Sequence, residues 1–236
     1  MLAALILLAT WIVLGIPVAL LGFPWTFIRR DMSFLYWGAI WVMRTGMRAA
    51  GIRVEARWEA PPDPAQHYIF LSNHISNLDP VVLFPLLPGR VSAFIKRSLT
   101  KIPVLGYGME LARFIPVDRE GNVDAAAASV EQAARVLASG LHIVSFVEGT
   151  RSRDGKLQPF KKGPFYLAME TGAPVIPVSI FGTEGMMRKG SLKILPGTGH
   201  VTFHAPIWPR QFETRDDLMA AVRESIASGL PEWMRG

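Results

Sequence analysis

The sequence predicts an α/β fold, a mixed sheet flanked by helices, preceded by an N-terminal membrane-anchoring helical segment. Three observations carry this expectation. Short apolar runs alternate with amphipathic stretches from residue 68 onward, the pattern of strands joined by helical crossovers. With 236 residues, the chain is long enough for one such domain with a sizeable core and an appendage. No residue from Met1 to Ile28 carries a charge, and mean hydropathy over the whole chain is +0.26.

The elements follow in order. A helix over residues 1–28 would extend about 42 Å, more than the roughly 30 Å hydrocarbon layer requires. It reads as a retained anchor. No basic side chain precedes it and no A-x-A cleavage signature follows. Pro17 and Pro24 leave both spanning and partial insertion open. Met32–Met43 carries Phe34, Tyr36, Trp37 and Trp41 and suits a helix lying at the interface. Residues 1–57 are thus expected to form the anchor and 58–236 the main domain. The Pro-rich stretch 58–66 serves as connector.

Tyr68–Leu71 reads as a buried strand, and Asp79-Pro80 opens a helix as N-cap and first-turn proline. Val91–Ile95 and Phe114–Val117 are further strands. Asn122 caps a helix over Val123–Ser139, whose inward face is Val130, Ala134 and Leu137. Strands follow at Leu141–Val147 and Pro174–Phe181, with a helix after Gly163 between them. The prolines of the second place it at a sheet edge or at a strand start. Late strands are expected at Ser191–Leu195 and His200–Phe203. A last helix, Thr214–Ala227, has Asp216 and Asp217 in its first turn.

Net charge is +6 and the pI is 9.9. Beside an apolar anchor this balance favours anionic headgroups or a phosphorylated substrate over nucleic acid. The absence of cysteine excludes disulfides, thiolate catalysis and Cys-ligated zinc. Arg29, Arg30, Arg44, Arg48, Arg53 and Arg57 follow the apolar helix, which puts the remainder on the cytoplasmic side.

Four stretches carry chemistry. In Asn73-His74-Ile75-Ser76-Asn77-Leu78-Asp79, an imidazole and a carboxylate sit at a strand exit. On an ideal helix they would lie about 140° apart, but a loop entering a helix at Asp79 can bring them together. A carboxylate bonded to one ring nitrogen fixes the tautomer and lets the other nitrogen take a hydroxyl proton. The residues alone leave this reading open beside a plain helix cap with a loop histidine. A metal site lacks a second ligand at suitable spacing. Next, Glu148-Gly149-Thr150-Arg151 ends a strand, with Arg153, Lys156, Lys161 and Lys162 behind it. Glycine permits close approach, and an arginine fork suits a phosphate monoester, although a solvated basic loop has the same composition. Third, Phe114-Ile115-Pro116-Val117-Asp118-Arg119 delivers an arginine at a strand end. Fourth, Val175-Ile176-Pro177-Val178 is mainly structural.

Together and in this order, the four stretches resemble the motif blocks of the glycerolipid acyltransferase family, nearest to the 1-acyl-sn-glycerol-3-phosphate (lysophosphatidic acid) acyltransferases. N-H-x-S-x-x-D is present in full, and Val147 stands where the family's F-P-E-G-T-R-S has proline. Pro116 replaces a larger side chain. Lys96 and Ile102-Pro103-Val104-Leu105-Gly106 also look like the family. The resemblance covers roughly residues 66–205.

That resemblance implies a glycerolipid acyltransferase-like fold and transfer of a fatty acyl group from acyl-CoA or acyl-ACP. The acceptor is the free sn-2 hydroxyl of lysophosphatidic acid, and the product is phosphatidic acid. It implies that His74 acts as general base with Asp79 orienting it, and it leaves Ser76 an unfavoured nucleophile. Arg119, Glu148, Gly149, Thr150 and Arg151 would hold the acceptor phosphate. Asn73, Lys96, Phe114, Ile115 and Pro177 would contact the substrate or its acyl chain. No cofactor or metal is implied, and the expected partners are the two substrates and membrane lipid, without nucleic acid. The active site would face the cytoplasm (from the inner membrane in a bacterium). Other classes are an acyltransferase for a different lyso-acceptor, such as a lysophospholipid or lyso-ornithine lipid, and a non-catalytic membrane lipid-binding protein.

Overall fold

The computed structural model describes residues 2–117, 123–188 and 190–236. The chain divides into two compact units. One comprises Met1–Glu55, Ile75–Leu87 and Phe181–Val201; the other comprises Ala56–His74, Pro88–Ile180 and Thr202–Gly236.

The first unit opens with α1 (Leu2–Arg29) and α2 (Ser33–Ala49). Glycines bring the two into antiparallel contact. A Cβ on Gly22 would meet Leu35, one on Gly38 would meet Val18, and one on Gly46 would meet Trp11 at 2.4 Å. Small residues at such positions let helix backbones approach where no hydrophobic force from water drives them together. Most of the apolar surface of α1 points outward: Leu2, Val13, Leu20 and Phe27 are all exposed. The helix is long and apolar enough to cross a membrane, and both prolines lie within it without ending it. The same unit holds α3 (Asp79–Leu83) and α7 (Thr183–Met186), and Arg44 of α2 donates to the Pro85 carbonyl.

The second unit holds β2 (Ile69–Ser72), β3 (Val91–Lys96), α4 (Leu105–Leu111), β4 (Ile115–Val117), α5 (Val123–Ala138), β5 (His142–Phe146), α6 (Gly163–Thr171), nearly all of β6 (Val175–Phe181) and α8 (Arg215–Ser228). With β1 (Ile52–Trp58) and β7 (Gly197–Phe203), the strand order is β1-β7-β6-β2-β5-β3-β4. Parallel pairs join β2 to β5 and β6, and β3 to β4 and β5. Beyond β7 the chain returns antiparallel to β6 at the Val175–Ile207 bridge, so the sheet is mixed. All four residues of β2 are fully buried, as expected of a central parallel strand covered on both faces.

Four details differ from expectation. Ile52–Trp58 forms a strand that was not expected, although its strict alternation of apolar and charged residues is the pattern of a half-buried strand. Ser191–Leu195 is not a strand, because local turns take its amides: Lys193 donates to Ser191 Oγ and Leu195 to the Met186 carbonyl. β6 lies inside the sheet rather than at an edge. Pro177 gives up one donor, but its carbonyl still accepts from the His204 N–H at 3.0 Å. The buried face of α5 is Ser129, Ala133, Val136 and Leu137, rotated by about one residue from the expected stripe. Ser129 Oγ reaches the Pro116 and Ala125 carbonyls, so this face is turned toward β4. The cap expected at Asn122 lies outside the described residues.

Two buried histidines tie this unit together. His204 lies between Glu59 (3.1 Å) and Ser179 Oγ (2.7 Å), and Ser179 also donates to the Ile226 carbonyl in α8. Burial lowers its pKa, against the pull of Glu59. His142 Nδ1 accepts the Tyr68 N–H at 3.0 Å, so its neutral form is built into the β2–β5 crossing. Burial, and next the charge of His67, push its pKa down to about 4. The folded value lies below the ordinary 6.5, so the unfolded chain binds the extra proton as pH falls. Stability due to this residue is complete above pH 6.5 and is lost between there and about 4, with an upper bound of about 3 kcal/mol. Thermal melts in detergent at pH 7 and 4.5 should show His142→Asn losing less stability on acidification than the parent. An equal loss in both would remove His142 as the cause.

Candidate active site

The carboxyl ends of the parallel strands gather the chemistry-bearing residues of the second unit. β2 and β5 run in register with Ser72 beside Phe146, so Asn73-His74 and Val147-Glu148 leave the sheet side by side. Ligand sites of α/β sheets form at such strand ends, where loops emerge with unsatisfied backbone groups.

His74 is held there by its backbone and its ring face. Its N–H donates to Glu148 Oε1 at 3.1 Å, and its carbonyl accepts from the Ser152 N–H at 2.8 Å. The imidazole stacks on Phe146, with centroids 4.2 Å apart and planes at 23°. It is half-buried, whereas Glu148 is buried. Glu148 was expected among the phosphate-binding groups; its carboxylate sits on the amide of His74. Val147 explains its own departure from the family's proline: its N–H donates to the Ser72 carbonyl at 2.9 Å, a bond proline cannot make.

Asn73 is engaged with protein on both sides. Its Nδ2 donates to the Ile180 carbonyl and its Oδ1 accepts the Ile180 N–H, each at 2.8 Å. It thereby locks the exit of β2 to the end of β6. Pro177 is buried within β6 and Ile115 is buried in β4; Phe114 just precedes β4 and is half-buried. Lys96 is exposed at the end of β3, in register with Val117. Arg119, two residues beyond β4, lies outside the described residues.

The basic turn follows Glu148. Gly149 has φ +67°, and a Cβ there would come 3.0 Å from the Lys161 side chain. Only glycine fits this conformation easily. Thr150 is exposed, Arg151 is half-buried, and Arg153, Lys156, Lys161 and Lys162 are exposed. Ser152 fixes the turn further, its Oγ donating to Asp154 at 2.8 Å. That bond, ahead of the Lys156 N–H, holds the Asp154 carboxyl below its usual range.

Asp79 belongs to the first unit and does not cap its helix as predicted. It is the first residue of α3, and the preceding Leu78 makes no side-chain cap. Instead the carboxylate turns back along the chain. Oδ2 accepts the N–H groups of Ile75 (2.7 Å) and Ser76 (2.8 Å), and Oδ1 accepts Thr183 Oγ at 2.5 Å. All three of Asp79, Ser76 and Thr183 are fully buried. The carboxylate is therefore ordered against the peptide that follows His74. Ser76 Oγ donates to the Met187 carbonyl at 2.8 Å, which makes it a structural hydroxyl.

Thr183 and Ser152 were not singled out by sequence reasoning. The only available signal for Thr183 was Gly182-Thr183 at a strand end, a common helix start. Among the described residues, no three His, Asp or Glu side chains group to hold a metal ion.

Comparison with known proteins decides the family. Residues 51–181, more than half of the chain, match the Acyltransferase family model. The chain belongs to the acyltransferase family. A 1-acyl-sn-glycerol-3-phosphate acyltransferase from Limnanthes douglasii is 31% identical over 229 residues, covering 96% of this chain and 79% of that protein. The human 1-acyl-sn-glycerol-3-phosphate acyltransferase alpha is 34% identical over 179 residues, 75% of this chain and 63% of its own length. The crystal structure of the 1-acyl-sn-glycerophosphate acyltransferase PlsC from Thermotoga maritima superposes with a TM-score of 0.74 at 25% identity, covering 95% and 93% of the two chains. The mixed sheet flanked by helices is thus the acyltransferase fold, and the N-terminal apolar helix is part of the matched length. The motif turn around His74 and the basic turn after β5 both fall within the family match.

Proposed function

We propose that this acyltransferase moves a fatty acyl group from acyl-CoA or acyl carrier protein to the sn-2 hydroxyl of 1-acyl-sn-glycerol 3-phosphate. The product is phosphatidic acid, a step of phospholipid biosynthesis. The observation that carries the reading is the motif turn. A half-buried imidazole is fixed at a strand exit, and a buried carboxylate is ordered on the amides just beyond it.

The step balances without a cofactor. His74 takes the proton from the acceptor hydroxyl, and that oxygen attacks the thioester carbonyl. Collapse breaks the carbon–sulfur bond, and the imidazolium returns the proton to the leaving thiolate. Asp79 orients the ring and offsets its transient charge. No acyl-enzyme is needed, consistent with a chain that has no cysteine and a Ser76 occupied by a carbonyl. Arg151, Thr150 and the Gly149 backbone, with Arg119, bind the acceptor phosphate; Glu148 serves them by holding the His74 loop. Lys96, Phe114, Ile115 and Pro177 contribute to substrate or acyl contacts, and Asn73 supports the strand exit. Residues 1–57 anchor the enzyme, 58–236 form the catalytic domain, and the arginines after α1 put the site on the cytoplasmic face.

An assay of purified enzyme against a panel of lyso-acceptors, with both CoA and carrier-protein donors, tests the proposal. Lysophosphatidic acid should give the highest kcat/KM; a phosphodiester or phosphate-free acceptor ahead of it would overturn the assignment. In the same panel, Arg151→Ala should raise KM for lysophosphatidic acid by about tenfold to a hundredfold, the worth of a charge-assisted phosphate contact. An equal loss on phosphate-free lysolipids would show that Arg151 does not read the phosphate.

A further inference from the structure

The unit that carries His74 has an apolar surface of its own. After β3 the chain makes a short turn over Arg97–Lys101 and then presents Ile102, Pro103, Val104, Leu105 and Tyr107 to the exterior. Ile102 is 43%, Val104 64%, Leu105 47% and Tyr107 52% exposed. Scattered apolar residues on a surface are ordinary, but five within six positions are not.

Close backbone contacts hold this knuckle. Val104 has φ +64° and ψ −56°, and the Leu105 N–H donates to the Pro103 carbonyl at 2.7 Å. That is a γ-turn of the rare, strained kind, built on a β-branched residue. Its neighbours over-determine it. The Gly106 N–H bonds the Ile102 carbonyl at 2.7 Å, and a Cβ on Gly106 would come 2.1 Å from the Thr100 carbonyl oxygen. The strained residue holds its isopropyl group outward, and strain kept in this way points to a use.

Lys96, Arg97 and Lys101 precede the knuckle and are all exposed. Cations beside a compact apolar tip, with a tyrosine among the apolar groups, match an anionic lipid interface, where the tip enters the acyl boundary and the charges stay with the headgroups. We propose that Ile102–Tyr107 is a membrane-insertion element of the catalytic unit, seated in the headgroup region of an anionic bilayer. The inference rests on the membrane-anchored reading above. It adds a contact made by the unit that carries His74.

The absence of cysteine makes the test direct. Single variants Val104→Cys and Leu105→Cys of the full chain are labelled with an environment-sensitive fluorophore and reconstituted in phosphatidylcholine–phosphatidylglycerol vesicles, about 3:1. Ile12→Cys in α1 and Ala126→Cys on the exposed side of α5 serve as controls. Labels at 104 and 105 should shift to the blue and lose most of their emission to lipid spin-labelled just below the headgroup, while the label at 126 keeps its own. Arg97→Gln with Lys101→Gln should reduce that quenching, as should pure phosphatidylcholine vesicles. Quenching at 12 with emission at 104 and 105 like that at 126 overturns the insertion element and leaves the anchor standing. No quenching at any site overturns both. A blue shift at 104 and 105 that needs added acyl carrier protein and not lipid assigns the knuckle to a protein partner instead.

Discussion

His74→Ala is expected to abolish acyl transfer while the fold and membrane attachment survive. A positioned general base contributes about 10²–10⁴-fold to such a step, and the hydroxyl of a glycerolipid is a poor nucleophile without one. The fold should tolerate the change. What anchors this position is the main chain, through the bonds of His74 to Glu148 and Ser152, and alanine keeps both. The side chain also stacks one ring face on Phe146. Turnover with lysophosphatidic acid and a long-chain acyl-CoA, measured beside the melting temperature in detergent, checks both halves. Near-normal kcat in the variant would remove the general-base role, and with it the central step of the proposed mechanism.

Asp79→Asn should lose both activity and stability, and the two losses have different origins. The Ile75 and Ser76 amides both point at Oδ2. A flipped amide keeps both N–H groups on its oxygen and donates to Thr183 Oγ, which then accepts, so three charge-assisted bonds become neutral ones. That exchange costs about 1–3 kcal/mol, so the melting temperature should fall by about 2–10 °C. Catalysis should fall by about 10³-fold or more, because a neutral amide neither holds the imidazole in the required tautomer nor offsets its charge. Thr183→Val separates the effects. It deletes the donor to Oδ1 and keeps the carboxylate, so kcat should fall much less than in Asp79→Asn at a comparable loss of stability. Equal kcat losses in the two variants, or full activity in Asp79→Asn, would reduce Asp79 to a structural residue.

The blocks themselves were legible in the sequence because they are local. His74, Glu148 and Gly149 sit at strand ends that apolar runs announce, and their order along the chain pointed to the family before any coordinate was known. The exact work of each side chain was not legible. Asp79 looked like a helix cap because Asp-Pro opens helices in most contexts; here the carboxylate turns back to two amides upstream, which only the folded turn can supply. Glu148 stood in a basic stretch and suggested substrate; its carboxylate also accepts the amide of a residue 74 positions earlier, which no local pattern announces. Thr183 carried only the signal of an ordinary helix start, since its partner lies 104 residues away.

The role expected of the histidine and carboxylate turn came from the resemblance of its motif, while periodicity and composition by themselves determined the apolar N-terminal helix and the alternation of strands and helices. Each follows from residues within a turn or two of one another, where propensity and hydrophobic spacing act. The tertiary structure alone decided that the proline-bearing β6 lies inside the sheet, that α5 buries Ser129, Ala133, Val136 and Leu137, and that Asn73, Glu148 and Thr183 bond Ile180, the His74 amide and Asp79. Those outcomes depend on which distant backbone groups arrive with unpaired donors and acceptors. A buried polar group must find its partner wherever the chain brings one.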